Sequence, residues 1–474
     1  MPANFLHGVE VITLSQGPRP VQVVKSAVIA LVGVAPNEFG KNQLILVQND
    51  NDIANFGKQV PGFNIPQALA QIFAQGGATV LVVNTFDLAT NSTQVTDEVQ
   101  AVSGGKAKLA FAPLNTVTIK TSGDVAVTWV LGTDYTIDAY GNFVALTSVV
   151  TDGSYKFTYK KLNGASVNAA QIIGTVDGGT EARTGSKCWA LAKNLFGFNP
   201  KILIAPGYSS LATVATEMLA VAPTYRAVAL LDAPAGTTVA TAISNRGIAS
   251  SSNFNTSSKR AFLLFPYLKA FDEATNSNVD FPYSSFMAGV IAANDIANGY
   301  WFSPSNLEIK GIVGAERTIT AGLNDANSQA NLLNEKGITT IFNAFGTGIR
   351  TWGNRSAAWP TVTSPDNFLA VQRTADVVHE SMENAVLQFM DQPIQPALID
   401  QIRETGNEFI RALVGRGALV AGSRVEFPAD LNTPDQIALG RLTYNLIMMP
   451  PVPAERITIQ SFIDINILKN LLAA

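Results

Sequence analysis

The chain has 474 residues, which is too long for one ordinary domain and predicts about two to four. Apolar residues make up 47% of it and charged residues only 14%, against about 25% charged residues in a typical soluble domain. The formal net charge of −4 argues against a protein that binds duplex nucleic acid, and two histidines with a single cysteine exclude a disulfide framework and most metal sites. So little charge indicates either a surface that is largely buried against partner molecules or a neutral surface rich in hydroxyl groups.

Residues 1–24 predict an extended arm. Val9 and Val11 stand on alternate positions, and the prolines at positions 18 and 20 disfavour a helix. The opening has no basic stretch followed by an apolar run, so it does not predict a signal peptide. The uncharged stretch 59–86 contains prolines and a Gly-Gly pair, which argues against a membrane span.

Residues 25–86 predict the first part of an α/β core. Apolar runs bounded by turn residues are typical of buried strands, and apolar residues at helical spacing lie between two of these runs. Pro66 near the start and Gly76 past the end are typical of helix boundaries. The expected elements are strands at 27–34, 44–47 and 79–84 and a helix from about 65 to 75.

Residues 87–185 predict an inserted antiparallel β domain. Short β-rich runs are separated by glycines at the spacing of a small sandwich or barrel, and the two ends of an insertion should lie close together. The expected strands cover residues 116–120, 125–130, 135–138, 143–146 and 155–159.

Residues 186–359 return to alternating strands and helices, which predicts a parallel sheet with right-handed crossovers. The expected strands are 202–205, 227–231 and 261–265, and the expected helices are 211–221 and 237–244.

Residues 360–454 form a third part, and residues 455–474 form the tail. Leu398, Ile402, Phe409 and Leu413 make one apolar stripe, which predicts an amphipathic helix over 396–415. In the tail, apolar residues fall mostly on alternate positions between 457 and 467, the pattern of a strand with one buried face. The predicted fold class is therefore α/β multidomain, with a mixed α/β core built from amino- and carboxyl-terminal parts, an inserted antiparallel β domain and extended terminal arms.

Two near-motifs could carry chemistry. The segment from Gly33 to Lys41 resembles a phosphate loop but has six residues between its glycines instead of four, so a turn is the simpler interpretation. Ser209 follows a predicted strand as in a nucleophile elbow, although the second glycine is missing and only His379 could complete a triad. We therefore expect Ser209 or Ser210 to cap the next helix.

Asp232 and Cys188 are the other candidates for chemistry. Asp232 follows a predicted strand, where α/β enzymes place ligand contacts, although a turn cap is equally compatible. Cys188 is expected to be a small buried residue. No cofactor or metal site is predicted. An α/β hydrolase or nucleotide-binding enzyme stays open as an alternative, as does a surface adhesin that uses the β domain.

Several segments, in this order along the chain, resemble the sheath proteins of contractile bacteriophage tails. The resemblance covers most of the chain except the β insertion, and related sheaths occur in pyocins and in type VI secretion systems. The segments are 5–11, 17–20, 29–35, 203–207, 231–234, 288–292, 301–306, 333–338, 348–355 and 453–457. The most recognisable block contains Asn334, Gly337, Trp352, Gly353 and Arg355.

The resemblance implies a structural protein without enzymatic activity or cofactor. It implies hexameric discs that stack as a helical sleeve around a tail tube and contract to drive the tube through the host envelope for genome delivery. The implied partners are further copies of the chain, the tail tube protein, and the baseplate and tail terminator proteins, without direct nucleic-acid contact or membrane insertion. The implied location is the virion tail, assembled in the host bacterial cytoplasm.

The two arms suit strand exchange, in which a segment of one subunit completes the sheet of a neighbour. The residues assigned to that exchange are Val9, Val11, Arg19, Ile457, Ile459, Ile463, Ile465 and Ile467. The family's carboxyl-terminal part faces the tube, so the expected tube contact is the polar face of the predicted helix 396–415, the alternative being a solvated helix face. That face carries Arg403, Glu404, Glu408 and Arg411, and the β insertion would then face outward.

Overall fold

The computed structural model describes residues 21–247, 250–344 and 346–471. Val9, Val11 and Arg19 lie outside the described residues. The strands, in chain order, are β1 (Val28–Gly33), β2 (Leu44–Val47), β3 (Thr79–Asn84), β4 (Ser92–Val102), β5 (Lys106–Lys108), β6 (Thr118–Thr121), β7 (Tyr135–Ile137), β8 (Asn142–Ala145), β9 (Gly153–Leu162), β10 (Ile202–Ile204), β11 (Val228–Asp232), β12 (Ala261–Leu264), β13 (Leu268–Asp272), β14 (Ser277–Phe281), β15 (Gly314–Ala315), β16 (Ile338–Ala344), β17 (Gly348–Trp352), β18 (Arg424–Glu426) and β19 (Asn445–Ile447).

The helices lie between these strands and, in the last third of the chain, form most of the structure. The α-helices are α1 (Asp50–Ala54), α2 (Ile65–Gln75), α3 (Ala169–Ile173), α4 (Ala192–Phe196), α5 (Ala212–Tyr225), α6 (Val239–Ser244), α7 (Tyr283–Ala297), α8 (Gln329–Glu335), α9 (Leu369–Val386), α10 (Pro396–Gly415) and α11 (Pro434–Ala438). Short 3-10 helices cover Gly164–Ser166, Gly185–Leu191, Pro365–Asn367, Leu387–Phe389 and Ile465–Leu471. No helix within the described residues is both long and apolar enough to cross a bilayer.

A mixed sheet forms the centre of the molecule. Within the described residues it has eight strands in the order β17-β16-β12-β11-β10-β1-β3-β2. The six inner strands run parallel, and an antiparallel strand closes each edge. Every residue of β1 is buried, and alternate residues enter different core clusters, Val28 one and Ile29 the other. Burial on both faces explains why these strands are continuous apolar runs in the sequence.

Helices cover both faces of this sheet. Helices α2 and α7 belong to the cluster that contains Ile29, and α5 with the 3-10 helix Gly185–Leu191 belongs to the cluster that contains Val28. At Gly289 in α7, an added Cβ would lie 2.6 Å from the backbone oxygen of Ile72 in α2. The side chain that is missing at Gly289 therefore sets how closely these two helices approach.

The strands β4 to β9 form a separate antiparallel region with its own core. Two three-stranded sheets, β4-β9-β6 and β5-β8-β7, enclose an aromatic cluster in which the Tyr135 and Phe143 rings stack 5.2 Å apart. The first residue of β4, Ser92, pairs with the last residue of β9, Leu162, so the region's entry and exit are adjacent.

This β region differs in two details from the expected insertion 87–185. Its strands end at Leu162, and Val167 and Ile172 beyond it are buried in the core of the central sheet. The predicted strand 125–130 does not form. Only an isolated bridge joins Ala126 to Lys120 of β6, and Trp129 beyond it packs on Tyr155 with ring centroids 4.7 Å apart.

The carboxyl-terminal part is built on α9 and α10. The predicted helix 396–415 is present as α10, and its apolar stripe of Leu398, Ile402, Phe409 and Leu413 is buried as expected. Val425 of β18 packs on this helix, and β18 pairs only with β19 among the described residues.

Replacing Gly289 with alanine should lower the free energy of unfolding by about 1–3 kcal/mol, because the new methyl group meets the backbone of α2. Gly415→Ala is the matched control, since Gly415 ends α10 with open space around it, and that change should add up to about 1 kcal/mol. Calorimetric melting of both variants measures the difference. A Gly289→Ala protein that melts at or above the wild-type temperature would contradict the packing argument.

Candidate functional site

Ser209, the candidate nucleophile, lies in a closed polar cluster at the carboxyl end of β11. Its hydroxyl donates to Asp232 Oδ2 at 2.9 Å, and Ser284 donates to the same carboxylate from its backbone nitrogen at 2.7 Å and its hydroxyl at 2.5 Å. Ser209, Asp232 and Ser284 are all completely buried. Because Ser284 stands in the first turn of α7, Asp232 caps that helix from a neighbouring strand.

The expectation that Ser209 or Ser210 caps the following helix is wrong. Helix α5 starts at Ala212, its cap residue is Leu211, and no side chain bonds to that cap. The Ser209 hydroxyl donates to Asp232 Oδ2, and its oxygen accepts from the backbone nitrogen of Asp232 at 3.1 Å, so it is engaged at β11 instead of at the start of α5.

The other candidates for chemistry are also placed for structural roles. His379 lies in α9 with Arg226, Asp376 and Glu383 around it, rather than with Ser209. Lys41 forms ion pairs with Asp87 at 2.9 Å and Glu38 at 3.3 Å in the turn after β1.

Cys188 is buried as predicted, and burial raises the pKa of its thiol to about 11. The described residues contain no cluster of three or more side chains suited to holding a metal ion.

Asp232→Asn should reveal that ionisation of the buried Asp232 carboxyl group destabilises the folded protein as the pH rises. Burial raises the pKa of Asp232 to about 6, while the hydrogen bonds from Ser284 and Ser209 limit the rise. An unfolded aspartate has a pKa near 3.9, so stability contributed by the protonated form is complete below about pH 4 and lost as the pH rises through 6. The asparagine cannot ionise. Its free energy of unfolding relative to wild type should improve by about 2–3 kcal/mol between pH 4 and pH 7. Melting curves across that range measure this, and a constant difference would contradict it.

The carboxyl-terminal segment leaves its apolar side chains between residues 456 and 468 in solvent. Ile457 is 78% exposed and Ile459 86% exposed, and Phe462, Ile463, Ile465 and Ile467 are exposed as well. No backbone hydrogen bond joins residues 456–463 to another residue that the structure describes.

The predicted terminal strand is therefore absent from the single chain, where residues 456–464 have no regular structure and Ile465–Leu471 form a 3-10 helix. A strand needs a partner for its N–H and C=O groups, and the described part of the chain offers this segment none.

Glu455 attaches the start of this segment to the body of the protein. Its carboxylate accepts from Arg355 Nε at 2.8 Å and 3.0 Å on its two oxygens, and also from Arg355 Nη2. The guanidinium lies between two aromatic rings, 3.8 Å from the centroid of Trp359 and 4.2 Å from that of Phe368. Its remaining nitrogen, Nη1, donates to Asn367 Oδ1 at 2.7 Å. All sides of the Arg355 head group are thus occupied.

The residues of the family-like block come together around Arg355. The Asn334 amide donates to the backbone oxygens of Ile338 and Trp352 at 2.9 and 3.1 Å, and accepts from Trp352 Nε1 at 3.3 Å. Gly353 has a φ of +136°, and a Cβ there would lie 2.8 Å from the Asn334 amide. Gly337 also has a positive φ and packs against the backbone oxygen of Trp359. The block fixes the turn that presents Arg355.

The amino-terminal segment is held at residues 24–26. Ser381 of α9 accepts from the backbone nitrogen of Val24 at 3.2 Å, and Arg373 of α9 donates to the backbone oxygen of Ser26 at 3.2 Å. Arg373 is itself buried in a two-pronged ion pair with Asp295 of α7, at 2.8 and 2.5 Å.

Helix α9 forms further ion pairs with residues that directly precede strands of the sheet. The carboxylate of Asp376 accepts from Nη1 and Nη2 of Arg260, each at 2.8 Å, and Arg260 lies just before β12. Glu380 pairs with Lys201 just before β10, and Glu383 with Arg226 just before β11. Burial lowers the pKa of Lys201, and its pairing with Glu380 opposes that change. One helix thus fastens the amino ends of neighbouring strands and the first described residues of the chain.

The predicted tube-facing residues lie on the exposed side of α10. Glu404, Glu408 and Arg411 are exposed and Arg403 is half-buried. Arg403 pairs with Asp400 at 2.9 Å and lies 3.5 Å from Glu404, so part of their charge is neutralised within the helix. What this face contacts in an assembly stays a prediction.

Sequence reasoning missed two features, the role of α9 and the Arg355–Glu455 contact. The acids of α9 at 376, 380 and 383 have the spacing of one helix face, so the sequence could have indicated that they act together. The two family-like segments 348–355 and 453–457 are 100 residues apart at their contact, and nothing in the sequence indicated that they meet.

Comparison with known proteins gives consistent results. The phage tail sheath protein central domain matches residues 181–357 as a family model. The tail sheath protein of Burkholderia phage BcepMu is 43% identical over 479 aligned positions, which cover 99% of each chain. A putative prophage major tail sheath protein of Pseudomonas aeruginosa is 34% identical over 60% of this chain and 70% of the relative.

Solved structures share the fold. The sheath of the PVC extracellular contractile injection system in its contracted state aligns with a TM-score of 0.60 at 17% identity, covering 98% of this chain and 99% of that one. The contracted helical sheath of the anti-feeding prophage aligns with a TM-score of 0.61 at 15% identity, covering 98% and 100%. Identity over nearly the whole length with the BcepMu protein sets the enzyme alternative aside, and the chain belongs to the phage tail sheath proteins, a family of structural proteins of bacteriophage tails.

Proposed function

We propose that this protein is the repeating subunit of a contractile tail sheath. Copies assemble as hexameric discs, stack as a helical sleeve around the tail tube, and shorten to drive the tube through the host envelope for genome delivery. Membership of the sheath family and the shared fold with sheaths of contracted injection systems support this function. The single observation that carries it is the row of solvent-exposed isoleucines in a segment that has no strand partner among the described residues of its own chain.

Strand exchange between subunits, here called strand loan because each copy lends a segment to a neighbour, is the physical basis of the proposal. A segment with apolar residues on alternate positions gains hydrogen bonds and burial when it joins the open edge of another copy's sheet. Backbone pairing is tolerant of changes in how two bodies are oriented, so subunits stay connected while the sleeve shortens. The amino-terminal arm, with Val9, Val11 and Arg19, is proposed to act in the same way.

The small sheet of β18 and β19 is a suitable acceptor. Each of its strands has one edge unpaired among the described residues, and Ile447 of β19 is partly exposed. A two-stranded sheet is marginal alone, so added strands would stabilise it. The sheet rests on α10 through Val425, which gives an incoming strand a rigid base.

Contraction is proposed to need no nucleotide. The turn that resembled a phosphate loop carries Lys41 in two ion pairs with acids of its own chain, which leaves a phosphate without its cation. The extended sleeve would then be a kinetic trap whose subunit interfaces are poorer than those of the contracted form.

The remaining partners follow from the same proposal. The exposed face of α10 is proposed to contact the tail tube, and the ends of the sleeve to contact the baseplate and the tail terminator. Assembly would take place in the host cytoplasm on a tube and baseplate that nucleate it. A soluble subunit is expected at dilute concentration, because several arm contacts per subunit must form together.

Changing Ile459 and Ile463 to aspartate should abolish sheath assembly on purified tubes with baseplates. Each isoleucine contributes about 1.5–3 kcal/mol when buried, so the double variant loses on the order of a hundredfold or more in docking. The folded subunit should melt as wild type, because both side chains are exposed in it. Leu323→Asp, at an equally exposed apolar residue, is the control. Normal sleeves of the double variant in electron micrographs would contradict strand loan.

Contracted sleeves should resist denaturant that dissolves extended ones. The kinetic-trap argument requires better interfaces after contraction, so the guanidinium midpoint for disassembly should be higher for the contracted form. Light scattering and electron microscopy of both forms across a guanidinium series measure this. Equal resistance would remove the energetic basis for contraction without nucleotide.

A further inference from the structure

We propose that the Arg355–Glu455 contact is the pivot of the carboxyl-terminal segment: it fixes where the loaned segment leaves its own subunit and lets everything after Glu455 reorient. This inference rests on the strand loan proposed above and adds the positioning residues that direct it. Arg355 and Glu455 act through the segment that follows them rather than by touching a partner.

The chain before Glu455 is held and stiff. The backbone oxygen of Met449 accepts from Val420 at 2.8 Å, and the following Pro450 is buried. Prolines at 450, 451 and 453 restrict the backbone to extended conformations over the few residues that lead to Glu455. A stiff spacer with both ends attached leaves the position of Glu455 little freedom.

The chain after Glu455 is free of such contacts. Residues 456–463 form no hydrogen bond with another described residue, and the isoleucines among them are exposed. Glu455 is thus the last residue before 456–463 whose side chain bonds to the body of the subunit. In a sleeve whose subunits reorient, a boundary of this kind places the bending at 456 and beyond.

Arg355 is better prepared for this role than an ordinary surface cation. Most exposed ion pairs contribute little, because two flexible side chains must be ordered to form them. Here the guanidinium is already ordered by the rings of Trp359 and Phe368 and by Asn367, and it is 15% exposed. Its fork geometry matches both carboxylate oxygens of Glu455, which a lysine could not reproduce.

The first test measures how well the segment is positioned in the folded subunit. Spin labels at Ile457→Cys, just past the pivot, and at Asn331→Cys, exposed on α8, report one distance distribution by pulsed electron resonance. Cys188 is buried and its thiol pKa is raised to about 11, so it should stay unlabelled.

Glu455→Gln should broaden that distribution at least twofold, and Arg355→Lys should broaden it as well. Asp280→Asn is the matched control, because Asp280 forms a similarly exposed ion pair with Lys269 at 3.7 Å elsewhere on the surface. The control should leave the distribution unchanged. Glu455→Gln and Asp280→Asn should melt within about 2 °C of wild type, as expected for carboxylates of exposed pairs, so broadening in Glu455→Gln cannot be attributed to general destabilisation. A Glu455→Gln distribution as narrow as wild type would overturn the proposal.

The second test separates the pivot from strand loan. On tubes with baseplates, Glu455→Gln should slow sleeve growth several-fold, because a poorly positioned segment lowers the effective concentration for docking. If Glu455→Gln grows at the wild-type rate while the Ile459, Ile463 double aspartate variant fails, the pivot is rejected and strand loan stands. If the double variant itself grows normally, strand loan is rejected, and the pivot proposal is rejected with it because it rests on strand loan.

Discussion

Buried charge pairs along α9 are the constraint on which the rest of the structure depends. Asp376 and Glu380 reach Arg260 and Lys201, which directly precede β12 and β10, and Arg373 reaches Asp295 of α7. A buried pair gains little over apolar packing while it is intact, but loss of one partner leaves an uncompensated charge and is strongly destabilising. Helix α9 therefore cannot shift alone. The sheet and this helix move as one body.

Both terminal segments leave from this body. Residues 24–26 bond to Ser381 and Arg373 in the middle of α9, and Arg355 stacks on Phe368, which precedes its first residue. A pull on either arm is therefore transmitted to the helix that is most firmly attached to the sheet. That arrangement suits a subunit whose connections to neighbours carry load.

Local patterns predicted the elements whose environment is set within the chain. The strands at 44–47 and 79–84 and the helix at 396–415 form where expected, because burial of one stripe or of both faces leaves a clear apolar pattern. The strand expected at 125–130 is reduced to one bridge between Ala126 and Lys120, and Trp129 packs in an aromatic core that sequence spacing cannot reveal. The tail has the pattern of a strand but no partner in the described chain, so in the isolated subunit the pattern and the structure disagree.

The site could be predicted only in part for the same reason. The motif residues from Asn334 to Arg355 were identified by their resemblance to a family, yet their purpose depends on Glu455, which lies 100 residues further along. The pairs of α9 join residues 116 and 179 positions apart, and no local signal connects acids on a helix to particular strand ends. The motifs that resembled enzyme sites failed for a different reason: Ser209 and Asp232 do meet, but as a buried cap for α7, and no histidine of the described residues bonds to them.

The account depends most on where the tail goes when copies assemble. A reconstruction of the assembled sleeve at a resolution that traces the backbone tests this directly. The account predicts that residues 456–467 of each copy pair as a strand with a sheet of an adjacent copy, while Glu455 stays on its own Arg355. A map in which each tail folds back and pairs only with its own subunit would contradict it.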